Sequence, residues 1–299
     1  MRALAAWVIA KRSNALVATS AFAVMGLLFP PVIVFSFAVL GLITMRRGAH
    51  EGLFILFGAA MFMLLMVLMV GQSLWIDFLV ITSLWGVAWI LALIYRKMAA
   101  PAWILYAAGL MGMLAVTGFH LVAGDPSEYW LEFLNNVLRP VFEEANVARS
   151  SAELDDLFVR MSQVLTGSIA ALVCVIMIIS LFLARWWQAL LYNPGGFRKE
   201  FHALRLGRVA ALIMLGLIAA SLIGKFAVAT DAATVAWVLF FFQGLAILHA
   251  LVAQFGLNVG WLIVAYFLVP YISPALSGLG FIDTWFDFRH RLPKLLNKH

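Results

Sequence analysis

The chain has 299 residues, 65% of them hydrophobic and 11% charged, with a mean hydropathy of +1.03. Soluble domains carry roughly 25% charged residues, so a water-soluble globule and a disordered chain are both excluded. A polytopic membrane protein is implied. The net charge of +6 belongs to membrane threading rather than to nucleic acid, because no basic stretch is long enough to follow a phosphate backbone.

The chain opens on a basic stretch, Met1 to Arg12, and an apolar run containing Ala21-Phe22-Ala23. The small residues resemble a signal cleavage site, but apolarity continues through Leu42, as expected of an uncleaved first membrane segment. Runs at 14–29 and 32–45 flank Pro30-Pro31. Together they exceed one straight helix, so two short tilted helices or one broken, hairpin-like element are expected. Further apolar runs fall at 51–70, 74–94, 102–122, 161–184, 208–226, 232–254 and 259–279, most of them near the 20 or so residues that a span requires.

The expected fold is therefore all-α, a polytopic helix bundle of about eight spans, nine at most, forming one membrane domain over 1–299. Arg2, Lys11, Arg12, Arg46, Arg47, Arg96 and Lys97 mark cytoplasmic ends under the positive-inside rule. That puts the N-terminus on the cytoplasmic side of the membrane. Segment 124–160 falls outside and holds eight acidic residues against three arginines. The loop 185–207 falls inside. Three further crossings would put Arg289, Arg291, Lys294 and Lys298 on the wrong side. Pro270 and Pro274 make the last run the suspect for a broken, non-crossing helix.

Within the external segment, Asp125-Pro126-Ser127-Glu128 reads as a helix start with Asp125 as N-cap and Pro126 at the first helical position. An amphipathic helix over Tyr129–Leu138 fits a lid or a plain interfacial cover, and a second helix runs from Ser151 into the membrane. The cytoplasmic loop turns at Asn193-Pro194-Gly195-Gly196. Its Arg198 and Arg205 are candidate lipid or partner contacts, or simple topology determinants. The 281–299 tail is aromatic and basic. Asp283, Asp287 and Arg291 would line one helix face, so Asp283, Asp287 and Arg289 are further candidates for partner or lipid contact, or for an interfacial anchor.

Polar side chains inside a span are costly and become functional candidates. Gln243 lies mid-span beside Gly244, which permits close helix approach, and His249 and Asn258 follow. With Pro270 and Pro274 these residues form a candidate small-ligand pocket. Interhelical hydrogen bonding by Gln243 is the structural alternative. No cofactor or metal is expected, since the single cysteine, Cys174, lies in an apolar run and no Cys/His spacing suits zinc. His120, His249 and Ser180 sit on separate spans and form no recognisable catalytic set, so a non-enzymatic protein is expected.

The stretches Phe242-Gln243-Gly244-Leu245-Ala246-Ile247-Leu248-His249 and Leu279-Gly280-Phe281-Ile282-Asp283-Thr284-Trp285-Phe286-Asp287-Phe288-Arg289, with the Trp186-Trp187-Gln188 to Arg198 loop, resemble the YybS-like family of bacterial multi-pass membrane proteins. The resemblance covers mainly 185–291 and implies no chemistry of its own. That family is similar in shape to the substrate-capturing S components of energy-coupling-factor vitamin transporters, which implies capture of a small ligand. The S-component pairing signal is represented only by Ala6 and Ala10, ahead of the membrane run. The sequence thus leads to a transport-related or ligand-binding membrane protein. The alternative is a non-catalytic scaffold or assembly factor that meets a membrane partner through its loops and tail.

Overall fold

A computed structural model describes residues 1–70, 74–144, 151–289 and 291. It is 91% helical, and no strand occurs among the described residues. In chain order the helices are α1 (Arg2–Ala10), α2 (Arg12–Leu28), α3 (Ile33–Arg47), α4 (Ala49–Val70), α5 (Trp75–Met98) and α6 (Pro101–Ala123). There follow α7 (Pro126–Phe133), α8 (Arg139–Glu144), α9 (Ser151–Tyr192), α10 (Gly196–His202), α11 (Gly207–Leu222), α12 (Ala227–Gln254) and α13 (Gly260–Phe286). Seven of them are long and apolar enough to cross a membrane. The pair α10 and α11, bent by 52°, makes an eighth if it is one span.

The apolar faces say why these helices need a bilayer. In α4 the side facing protein carries Ile55, Ala59, Met63 and Val67, while Phe54, Phe57, Met61, Leu65 and Leu68 are exposed. A helix that is apolar all round is either deeply buried or surrounded by lipid. α4 is not deeply buried, so its outer stripe requires hydrocarbon around it.

The helices group into two compact units. The first comprises Met1–Ala108, Val175–Arg205 and Ala246–Ala253, and the second Gly109–Cys174, Leu206–Leu245 and Gln254–His299. In the first, α2 and α3 form the expected hairpin around a 3₁₀ turn at Pro30–Val32, and both pack with α4, as α3 and α4 do with α5. A polar relay crosses this core: Trp85 Nε1 donates to Ser36 Oγ (3.0 Å), which donates to the Thr19 carbonyl (2.8 Å). All of its polar atoms are buried, and each donor is satisfied without water.

In the second unit α12 and α13 touch backbone to backbone. A Cβ placed on Gly244 would lie 2.0 Å from the Leu276 carbonyl oxygen, and one on Gly280 would lie 2.1 Å from that of Phe240. The close approach read from Gly244 is therefore real, and Gly280 is its counterpart. The expected interruption at Pro270 and Pro274 does not occur, because both prolines lie inside a continuous α13. Each removes one backbone donor, and the helix carries on through the neighbouring hydrogen bonds. The expected second external helix also merges with its span: α9 runs 42 residues without a break, about 63 Å at 1.5 Å per residue. It is about twice the length a hydrocarbon core requires.

Gly244→Ala and Gly280→Ala should each destabilise the folded protein by about 2–3 kcal/mol, since the added methyl meets backbone that cannot yield. Gly216, whose Cβ position is open, is the control. Gly216→Ala should be neutral or slightly stabilising in denaturant titrations of the detergent-solubilised chain.

Candidate functional site

The first unit contains a cleft of about 250 Å³ lined by Met45, Tyr95, Arg96, Ala99, Arg185, Gln188, Tyr192, Asn193 and Glu200. Its polar side chains come from the last turns of α5 and α9 and from the short α10. The Asn-Pro-Gly-Gly turn brings α10 back: Gly195 takes φ +82°, a conformation glycine adopts without a Cβ penalty. That return sets Glu200 against Arg185. Arg185 Nε donates to Glu200 Oε2 at 3.0 Å and to Tyr95 Oη at 2.5 Å, its Nη2 donates to Glu200 Oε1, and Tyr95 Oη donates to Glu200 Oε2 at 2.7 Å. The guanidinium, phenol and carboxylate form a closed triangle. Arg185 is only 8% exposed, and its charge is tolerated there because Glu200 neutralises it in bidentate geometry.

Arg96 forms the cleft's other cationic wall. Its Nη1 donates to the Thr44 and Met45 carbonyls at 3.3 and 3.4 Å, capping the C-terminus of α3. The group lies across Gly48, whose Cβ position would be 3.2 Å from Arg96 Nη1. Arg46 stacks over the Tyr192 ring at 4.0 Å. Among the described residues, Arg185 Nη1 and Arg96 Nη2 make no hydrogen bond to protein. Beyond the cleft, Arg12 holds Glu51 bidentately, and Arg47 reaches the Ile9 and Ala10 carbonyls.

The sequence-predicted pocket residues are not among those lining the cleft. Gln243 is fully buried in the second unit, where its Oε1 accepts from the Leu206 backbone N–H at 2.8 Å and its Nε2 donates to Asp283 Oδ2 at 3.2 Å. It bonds helices together, the structural alternative of the two readings. His249 belongs to the first unit, half-buried with its ring 5.4 Å from that of Phe201 and 6.3 Å from that of His202. Asn258 is exposed and accepts from the Gly260 backbone N–H at 2.8 Å. Pro270 and Pro274 are exposed on α13.

Among the candidate contact residues, Arg198 and Arg205 are exposed. Asp283 and Arg289 are corrected: both turn inward. Arg289 Nη2 donates to Asp283 Oδ2 at 2.9 Å, and Phe288 N–H to Asp283 Oδ1 at 2.8 Å, with side-chain exposures of 5% and 0% for the ion pair. α13 ends at Phe286 and Asp287 adopts φ +49°. The helical line through Asp283, Asp287 and Arg291 is thereby broken, and the chain folds back so that Arg289 covers Asp283. Lys294, Lys298 and the rest of the tail from 292 lie outside the described residues.

Two sets were not read from the sequence. One is the Tyr95–Arg185–Glu200 triangle, of which Arg185 and Glu200 read from the sequence only as charges of the cytoplasmic loop. The other is Asp231, which joins three helices in the second unit. Its Oδ2 meets His120 Nε2 at 2.7 Å and its Oδ1 accepts from Gly167 N–H at 3.0 Å. A Cβ on Gly167 would fall 2.7 Å from Asp231 Oδ1, so the glycine is a local signal for that approach. Asp125 caps α7 as expected, taking Ser127 Oγ at 2.7 Å and Ser127 N–H at 2.9 Å. Those bonds, the hydroxyl first, hold its carboxyl below the usual range. The cap is complete above ordinary carboxylate pKa values and is lost as pH falls through the lowered one. No group of three or more His, Cys, Asp or Glu side chains among the described residues is placed to hold a metal ion.

Removing one member of the Asp283–Arg289 pair leaves the other charge buried. Arg289→Met should therefore cost about 3–5 kcal/mol, while the surface change Arg198→Gln should shift stability by less than about 0.5 kcal/mol, both read by unfolding of the full chain in detergent. No family model, curated protein or solved structure matches the chain.

Proposed function

We propose that this protein is a non-enzymatic ligand-binding component of a bacterial inner membrane, transport-related, whose recognition site is the cleft at Tyr95, Arg96, Arg185, Gln188 and Glu200. One observation carries the reading: a concave, polar site with pre-positioned guanidinium groups at the helix ends. Ligand sites in general combine a concavity with a few fixed polar groups. The resemblance to YybS-like proteins, and through them to substrate-capturing S components, supports small-ligand capture, with the site moved from Gln243 and Pro270 to the cleft. The grouping of Arg12, Arg46, Arg47, Arg96 and Arg185 within the first unit supports a cytoplasmic face for the cleft and for the N-terminus.

A scaffold function is the second reading. It is favoured by Arg198 on α10 and Arg205 just after it, both exposed near the cleft residue Glu200 in sequence, where they suit a membrane-protein partner or anionic lipid.

Two measurements test these readings. Native mass spectrometry of protein extracted in mild detergent should find a small molecule retained by the unmodified chain and by Asn258→Ala, and lost from Gln188→Trp, which fills the cleft. Retention by Gln188→Trp would remove the cleft from consideration. Reporter fusions after Gly48 and Ala99 should be active on the cytoplasmic side and a fusion after Gly124 on the opposite side; the reverse pattern would overturn the orientation.

A further inference from the structure

We infer that the cleft recognises a phosphate-bearing anion, and this rests on the cleft being the binding site proposed above. The lining presents guanidinium donors without protein partners, while its carboxylate is already engaged. Glu200 is the one carboxylate lining it, and both of its oxygens are consumed by Arg185 and Tyr95. The donors are not consumed: Arg185 Nη1 and Arg96 Nη2 make no hydrogen bond to the described protein, and Arg185 is more than nine-tenths buried. Gln188 and Asn193 add side-chain amides. An incoming group that accepts several hydrogen bonds from planar guanidinium forks matches this set, and phosphate is the group arginine recognises in that way.

The charge balance agrees once the helix ends are included. α3, α5 and α9 end at or near the cleft, each terminus worth about half a negative charge. Arg185 is offset by Glu200, and Arg96 and Arg46 outweigh the termini, with Lys97 and Lys199 next in sequence to cleft residues. A cationic ligand would meet these arginines without a free carboxylate to receive it.

Size restricts the class further. A volume of about 250 Å³ falls just under the roughly 300–1,000 Å³ of pockets that enclose drug-sized ligands. It admits a phosphate with a few further atoms, such as a glycerol phosphate, rather than a large aromatic vitamin. Met45, Ala99 and the ring of Tyr192, itself 48% exposed, supply apolar wall beside the donors. That mixture suits the phosphate and glycerol of an anionic lipid headgroup, and basic pockets between membrane helices hold such headgroups elsewhere. A free phosphate presents the same chemistry.

The test uses the full chain in nanodiscs and in detergent. The first probe is dioleoylphosphatidylglycerol in phosphatidylcholine nanodiscs, with retained lipid read by native mass spectrometry; the second is inorganic phosphate, read by calorimetry. The structure leads us to expect selective retention of the anionic lipid over phosphatidylcholine, or saturable phosphate binding, weakened at least tenfold by Arg96→Gln and by Gln188→Glu. Gln188→Glu adds a negative charge to the wall, one turn from Arg185, and leaves Arg185, Glu200 and Tyr95 themselves unsubstituted; circular dichroism and size-exclusion profiles verify that both variants are folded. Lipid retention alone assigns a headgroup, and phosphate binding alone a soluble source. Binding unchanged in both folded variants overturns the inference. A neutral or cationic molecule found in the cleft also overturns it but leaves the ligand-binding reading standing. A cleft that retains neither probe nor any co-purified molecule removes both.

Discussion

A charge held beside hydrocarbon has to be neutralised within hydrogen-bond reach, and that constraint organises both helical units. The Coulomb attraction in such surroundings is strong, but so is the cost of removing each ion from water. The buried ionic groups therefore occur as closed sets with backbone or aromatic help. Arg185 has Glu200 and the Tyr95 hydroxyl; Asp283 has Arg289, Gln243 and a backbone N–H; Asp231 has His120 and the Gly167 N–H. Each set joins segments far apart in sequence. Arg185 and Tyr95 are 90 residues apart, and His120 and Asp231 are 111 apart. In a lipid environment, where apolar surface gains little by leaving its solvent, such polar ties and close packing take over the role that hydrophobic burial plays in water.

Close packing supplies the second half of that constraint. Where two backbones touch, only glycine fits, and the second unit uses this three times, at Gly167, Gly244 and Gly280. In two of the three places a polar tie lies alongside: Gly167 against the carboxylate of Asp231, and Gly244 next to Gln243. The glycine brings the elements near enough for the hydrogen bond, and the hydrogen bond fixes the register of the contact.

Hydropathy made the number and order of the helices legible, because a span must be long and apolar whatever it packs against. The Pro30-Pro31 hairpin, the Asp125 cap and the Gly195 turn were legible for a similar reason: each is local chemistry of two to four residues. Gly244 was readable as a close approach, but its partner Gly280 was not, since nothing local says which carbonyl it meets. The pairings were hidden because each joins residues many turns apart. Arg185 and Glu200 look like ordinary loop charges until the Asn-Pro-Gly-Gly turn lays one over the other. The prolines of α13 misled for the opposite reason. A proline weakens a helix locally, but in the absence of competing water the remaining backbone bonds keep the helix continuous.

The site and the scaffold share one residue, and this bears on how recognition would work. A lone arginine lining a cleft would swing among rotamers and lose that freedom on binding. Arg185 has already lost it. Glu200 and Tyr95 engage its Nε and Nη2 through three hydrogen bonds and leave Nη1 on a rigid frame. Arg96 is exposed and held more loosely, by Nη1 contacts to two α3 carbonyls at 3.3 and 3.4 Å. Donors that are held in place before a ligand arrives cost no further ordering when it binds, which favours affinity for a compact group over a flexible one. The same fixation limits the site: an incoming anion strong enough to pull Arg185 from Glu200 would leave a carboxylate partly buried and unpaired. The cleft is thus built to add an anion to the Arg185–Glu200–Tyr95 triangle rather than to replace one of its members.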